Sequence, residues 1–265
     1  MSRVPDRLMT DLYFLSFAAG AERYLTALQR LKAQANATGW FAKVYILDST
    51  HLNELNPFWY KRHSDFLFSN RRLFGYCIWK PMIIAEMLRR IPLGSVLLYS
   101  DAGAELSVAG VNRLREFLLI VNKVDMIGFH TPYDVGNWTK GDLLNYFGYS
   151  LEDSILSSKQ ICCNCLFIKN NSYNRALFNA WTEIVVAENY RLVDDSPSST
   201  PNPSGFVENR HDQAVFDLLR RSLDYGLVLS ESEHTDNELW AQGLYDPRKP
   251  IQQMRNLSGI ARIPS

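Results

Sequence analysis

GYCIWKPMIIAEMLRRIPLGSVLLYSDAGAE, residues 75–105, decides how the chain is read. Lys80-Pro81 opens a helix, since proline is tolerated in a first turn whose N–H groups have no intrahelical partner, and Pro92-Leu93-Gly94 closes it. Residues 96–99 (VLLY) then form a short, wholly apolar run, as expected of a buried strand. The run ends in Ser100-Asp101-Ala102-Gly103, which sets a carboxylate just beyond the strand's carboxyl end, where ligands bind in open α/β sheets. An acid followed by small residues suits a divalent cation bridging phosphates, because the backbone can approach a bulky anion.

Outward from that stretch, strand and helix signals alternate. Residues 12–17 (LYFLSF) predict a strand, and Ala18-Ala19-Gly20 a turn into a helix over 21–37 with Tyr24, Leu25, Leu28 and Leu31 on its apolar face. A second strand over 42–47 ends at Asp48. Strand, turn, helix, strand opens a parallel nucleotide-binding sheet. Residues 52–70 read as an aromatic-rich irregular stretch with His63 as surface structure. Further on come a helix over 111–121, a strand over 124–129, a short helix opened by Asn137-Trp-Thr-Lys-Gly-Asp142, a strand over 162–168 with Asn164 inside it, and a helix carrying Phe178 and Trp181. Residues 191–209 (RLVDDSPSSTPNPSGFVEN) offer little apolar surface and read as a weakly ordered lid. Arg210-His211-Asp212-Gln213 then begins a helix. Its first turn brings free N–H groups, a positive dipole end and the Asp212 carboxylate to one place, which suits a phosphate or a departing anion.

The 265 residues carry 28 basic and 28 acidic side chains, so bulk attraction to nucleic acid is not expected. A 46% hydrophobic and 12% aromatic content is that of a folded globule. No stretch approaches the roughly 20 apolar residues of a membrane span, and a cytoplasmic setting is expected. Cys162, Cys163 and Cys165 share one strand without the spacing of a zinc site and, with Cys77, read as buried free thiols. The sequons at Asn36, Asn137, Asn170 and Asn256 have no role in that setting. Without internal repeat or compositional break, one domain over 1–265 is expected, with a donor half over about 12–130, an acceptor and catalytic half over about 131–230, and a tail over 231–265.

WKP, SDAG, WTK and HDQ, in that order over residues 12–219, resemble the nucleotide-diphospho-sugar glycosyltransferases of the GT-A fold, of the bacterial and viral glycan-synthesis type. The resemblance implies a Rossmann-like, mixed but mainly parallel sheet flanked by helices. It implies transfer of a sugar from a nucleotide diphosphate donor, expected to be uridine-linked, to a hydroxyl of a glycan or polysaccharide. Phe17, Ala18, Asp48, Lys80, Asp101, Ala102, Gly103, Asn164 and Gln213 would lie at the donor, Asp101 would hold Mn²⁺ or Mg²⁺, and Asp212 with His211 would serve catalysis. Asp212 would act as general base if the reaction inverts, or stabilise an oxocarbenium-like centre if it retains; both outcomes stay open. The D-x-D pattern is incomplete, Gly103 standing at its second acid, so metal binding is expected only with donor bound, and Glu105 is expected to be dispensable. Cys165 replaces a usually small residue. Relatives return basic or histidine-bearing tails to the diphosphate, and here His234, Arg248, Lys249 and Arg255 are the candidates. Two other classes stay open: a nucleotidylyltransferase, although Phe17-Ala-Ala-Gly-Ala-Glu lacks that class's basic loop residue, and an inactive carbohydrate-binding relative.

Overall fold

The structure is a computed structural model that describes residues 10–235, 242 and 244–263. The chain begins with β1 (Leu12–Ala18), α1 (Glu22–Thr38) and β2 (Lys43–Asp48). Helices α2 (Leu52–Leu55) and α3 (Pro57–Ser69), a single left-handed turn α4 (Leu73–Tyr76) and α5 (Trp79–Arg90) follow. Next come β3 (Val96–Ser100), β4 (Glu105–Leu106), α6 (Val111–Val124), β5 (Met126–Asp134) and α7 (Gly141–Tyr146). The chain continues through β6 (Lys159–Lys169), α8 (Ser172–Ile184), α9 (His211–Ser222), β7 (Leu227–Leu229) and β8 (Ile251–Gln252).

Six strands form one sheet in the order β2-β1-β3-β6-β5-β7. β1 runs parallel to β2 and β3, β5 runs parallel to β7, and β6 is antiparallel to both neighbours, which is the mixed, mainly parallel sheet the sequence implies. Alternation along β1 divides the core: Leu12 and Phe14 pack with Leu31 of α1 and Phe117 of α6, while Leu15 and Phe17 pack against α5 and the layer of α8 and α9. The β5–β6 register slips between Ile127 and Phe129, which pair with Phe167 and Cys162. The extra β6 residues bulge around Asn164 and aim its carbonyl sideways, where it accepts the Asp101 N–H at 2.9 Å.

Two expectations are corrected. Residues 52–70 are helical, because the Asn56 side chain caps α3 by accepting from the Trp59 N–H and Pro57 fits its first turn. Trp59, His63 and Leu67 recur every fourth residue and form its buried face. His63 is therefore buried structure: Nδ1 lies 2.8 Å from the Tyr190 hydroxyl, and burial pushes its pKa down to about 4. Second, residues 191–209 are held by polar groups where the sequence offered too few apolar ones. Asp142 Oδ1 accepts from the Ser199 and Thr200 N–H groups at 2.9 and 3.0 Å, and Lys140 Nζ donates to the Ser196 carbonyl at 3.2 Å. Gly141 N–H donates to Asn202 Oδ1 at 2.7 Å, and any Cβ at Gly141 would collide with the Pro201 carbonyl. WTKGD is thus the anchor of this loop.

The tail returns to the sheet. β8 pairs with β4, and Ser107 N–H donates to the Pro250 carbonyl at 3.0 Å. Among the described residues, no helix is long and apolar enough to cross a membrane.

Candidate active site

Lys80 lies in the first turn of α5, where its stem is buried between β3 and α9. Phe17 stacks on Trp79 at 4.0 Å between ring centroids and fixes the start of that helix. Lys80 Nζ lies 3.3 Å from Asp101 Oδ1 and 3.4 Å from Asp212 Oδ2, and donates to the Cys163 carbonyl at 3.3 Å. The Tyr99 ring sits 5.4 Å from the ammonium, and the Tyr99 hydroxyl donates to Asp101 Oδ1 at 2.6 Å. One buried cation therefore joins the SDAG turn to the helix begun by HDQ.

Burial alone would lower the Lys80 pKa, but the facing carboxylates of Asp101 and Asp212 carry it well above its ordinary value. Burial pushes Asp212 up to about 6, against the opposing pull of Lys80. Among the described residues no well-aligned hydrogen bond reaches Asp212 Oδ2, which lies 3.4 Å from Lys80 Nζ. The Trp181 indole N–H holds the Asp212 carbonyl at 3.1 Å, which locks the helix start against α8.

The other expected residues divide between this cluster and its supports. Phe17 and Ala18 are buried, Ala18 in a small cluster with Ala102, so their side chains shape the floor of the site. Asp48 caps the turn after β2 by accepting from the Thr50 N–H at 2.9 Å. Gly103 lies under the tail: a Cβ there would stand 3.2 Å from Arg255 Cα, and the Gly103 carbonyl accepts from Asn256 N–H at 2.9 Å. The Asn164 carbonyl also accepts from Gln253 Nε2 at 3.1 Å, and Gln213 donates to Gln160 Oε1 at 3.0 Å. His211 has a left-handed backbone (φ 52°), its ring tilts against Tyr76, and its Nδ1–H donates to the Val193 carbonyl at 2.7 Å. The His211 side chain is thereby engaged with the loop that precedes the helix.

Glu105 is turned away from the turn. It is fully buried and accepts from Asn256 Nδ2 at 2.6 Å and from the Arg262 and Ile263 N–H groups at 2.8 Å, so it anchors the tail. Among the described residues, no group of three or more His, Cys, Asp or Glu side chains is placed to hold a metal ion. All four cysteines are buried and free.

Beside the cluster opens a cleft of about 230 Å³ lined by Asn164, Arg210, Gln213 and Arg255 among others. Of the tail candidates, Arg255 and His234 line it. His234 stacks on Phe129 at 4.4 Å and burial lowers its pKa to about 4, so it is neutral at physiological pH. Arg248 pairs with Asp246 at the exposed surface, and Lys249 is half-buried in the turn before β8. Sequence reading passed over Tyr99 and Gln253. Tyr99 stands two residues before Asp101, the spacing that lets strand neighbours share a face; Gln253 carries no comparable signal.

The sequence matches no known protein family and no curated protein. Among solved structures, the chain is similar to mouse xyloside xylosyltransferase 1 in its apo form, with a TM-score of 0.50 and 9% identity over 92% of this chain and 97% of that one. It also aligns with a glycosyltransferase involved in glycosylation of the major capsid of PBCV-1 (TM-score 0.46, 10% identity, 95% of each chain). A further alignment is to the galactosyltransferase LgtC in complex with donor and acceptor sugar analogues (TM-score 0.46, 11% identity, 91% of this chain and 86% of that one). The fold is that of the GT-A glycosyltransferases, as the sequence motifs implied.

Proposed function

We propose that the protein is a glycosyltransferase moving a sugar from a nucleotide diphosphate donor, uridine-linked, to a hydroxyl of a glycan or polysaccharide. The observation that carries this reading is the Asp101–Lys80–Asp212 cluster beyond the carboxyl end of β3. Breaking the anomeric bond leaves negative charge on a diphosphate, and a buried ammonium held in place beforehand stabilises that charge as it develops. Arg255, whose backbone lies against the Gly103 turn and which lines the adjoining cleft, is a second cation close to the site. Asp212 faces the opposite demand. With a pKa near 6 it is largely ionised at neutral pH yet basic enough to take the acceptor's proton, and the same carboxylate can instead support a positive anomeric centre. His211 positions Asp212 by tethering the helix start to residue 193.

The residues fit a divalent cation delivered with the donor. Asp101 is 41% exposed at its side chain, with one oxygen engaged by Tyr99 and Lys80 and no hydrogen bond to the other among the described residues. A hard cation accepts such a carboxylate together with phosphate and water oxygens. When bound it would supply Lewis-acid stabilisation of the diphosphate. A cytoplasmic setting, supported by the four free thiols, and a single domain with donor and acceptor halves on one sheet belong to the same reading.

The test is incubation with a panel of nucleotide sugars, with and without Mn²⁺, reading nucleoside diphosphate release. Release from one donor, stimulated by acceptor, is expected. Formation of nucleoside triphosphate and sugar 1-phosphate when inorganic pyrophosphate is added would point instead to a nucleotidylyltransferase, and binding without turnover across the panel to an inactive relative.

A further inference from the structure

We propose that the cleft holds an anion-binding acceptor subsite built on Arg210, so that the acceptor is an acidic sugar carrying a carboxylate or a phosphate. The inference rests on the glycosyltransferase reading. Arg210 precedes α9, and its guanidinium packs against a touching pair of rings, with Cζ 4.5 Å from the centroid of Tyr133 and 4.3 Å from that of Trp138, the two centroids being 4.7 Å apart. Tyr133 ends β5, two strands across the sheet from Asp101 and on the same side, since β5 and β3 are each antiparallel to β6. The Arg210 side chain is 30% exposed, and its Nε is buried without a hydrogen-bond acceptor among the described residues. Arg210 Nη1 makes a long ion pair of 3.8 Å with Glu208 Oε1, while Glu208 Oε2 is held by Arg72 at 2.6 Å. Among the described lining residues, Glu231 is the one carboxylate, against Arg210 and Arg255.

Stacking explains where the guanidinium plane lies but leaves its N–H edge unanswered. A partly desolvated cation whose ion pair is long and whose Nε lacks an acceptor is incompletely satisfied, and the planar fork of donors matches a carboxylate or phosphate in two-point contact. The Arg255 backbone passes beside the Gly103 turn, whereas Arg210 stands by Tyr133 of β5 on the far side of the same cleft, so Arg210 is the cation placed for the other substrate. Gln213 and Asn164, which line the same cleft, offer amide groups to sugar hydroxyls.

Calorimetric titration of the full chain with UDP present compares methyl β-D-glucuronide, glucose 6-phosphate and methyl β-D-glucoside. A charge-assisted contact predicts that at least one acidic probe binds roughly ten- to hundredfold more tightly than the neutral glucoside, and the two acidic probes distinguish carboxylate from phosphate. In Arg210→Gln the ratio falls to near one, and in Arg210→Lys it is partly kept, with thermal unfolding confirming that both variants are folded. Equal binding of acidic and neutral probes by the wild type would overturn the proposal, as would displacement of the acidic probe by UDP, which would place the anion at the donor. Failure of every nucleotide sugar to turn over, with the acidic preference and its loss in Arg210→Gln intact, would overturn the catalytic reading and leave the anion subsite standing.

Discussion

Replacing Lys80 by methionine removes one buried charge while keeping most of the side chain's volume, and its cost depends on the groups left behind. Asp101, 41% exposed, regains water. Asp212, 6% exposed, has no such recourse. Removing one partner of a buried ion pair costs about 3–5 kcal/mol when the other must stay charged. Asp212, however, can protonate. Its folded pKa already stands near 6, above the ordinary carboxylate value, so the folded protein binds that proton more tightly than the unfolded chain does. Its contribution to stability is fully present below the unfolded pKa and is lost as pH rises towards 6 in the wild type. Without the ammonium, which pulls this pKa down, the window moves further up. At pH 8 the variant should therefore lose the full 3–5 kcal/mol, which at roughly 2–4 °C per kcal/mol for a protein of this size is a fall in Tm of about 6–20 °C. At pH 5 Asp212 is protonated in the variant, and the fall should be less than half as large. Circular-dichroism melts at the two pH values measure both numbers, and adding Asp212→Asn should recover most of the loss at pH 8. A fall of equal size at both pH values, or none at pH 8, would refute the claim that Lys80 stabilises a buried carboxylate.

Asp212→Asn alone should leave donor binding within a few-fold and lower turnover by roughly two to four orders of magnitude, measured by steady-state kinetics; wild-type turnover would reduce Asp212 to a helix residue. Asp142→Ala removes the acceptor that gathers the Ser199 and Thr200 N–H groups, and limited proteolysis within residues 191–209 should accelerate at least about tenfold, whereas an unchanged rate would mean that the loop is held elsewhere. Calorimetry with Mn²⁺ should give binding heat only when UDP is present if, as proposed, Asp101 is the one protein ligand; tight binding to the free protein, or full activity in Asp101→Ala or in excess chelator, would show that the cation is held or dispensed with in another way.

The local pattern in the sequence was enough for the elements that open the sheet, though not for their order in it. Apolar runs of strand length, each followed by a helix with a clean apolar face, can be buried in few ways, so β1, α1, β2, α5 and β3 were legible with ends shifted by one or two residues. Asp101 and Asp212 were legible as well, since a carboxylate beyond a strand end and another in a helix's first turn are local features. Sequence could not tell that Glu105, two residues past Gly103, faces away from that turn. Its direction is set by Asn256 and the 262–263 backbone, more than 150 residues on. His63 was misjudged for a similar reason: a titratable side chain looks like surface until Tyr190, 127 residues later, is brought against it. The loop over 191–209 lacks apolar residues, yet one carboxylate at Asp142 and one ammonium at Lys140 hold it, and satisfying buried polar groups over such separations leaves no periodicity to read. The sequence by itself determined the strands and helices that frame the site and which of them end in charged groups, but not the helices over 52–69. Only the tertiary structure decided that Lys80 stands between the carboxylates of Asp101 and Asp212, 111 residues apart in the chain, because electrostatic partners are chosen by proximity in space after the apolar faces have packed.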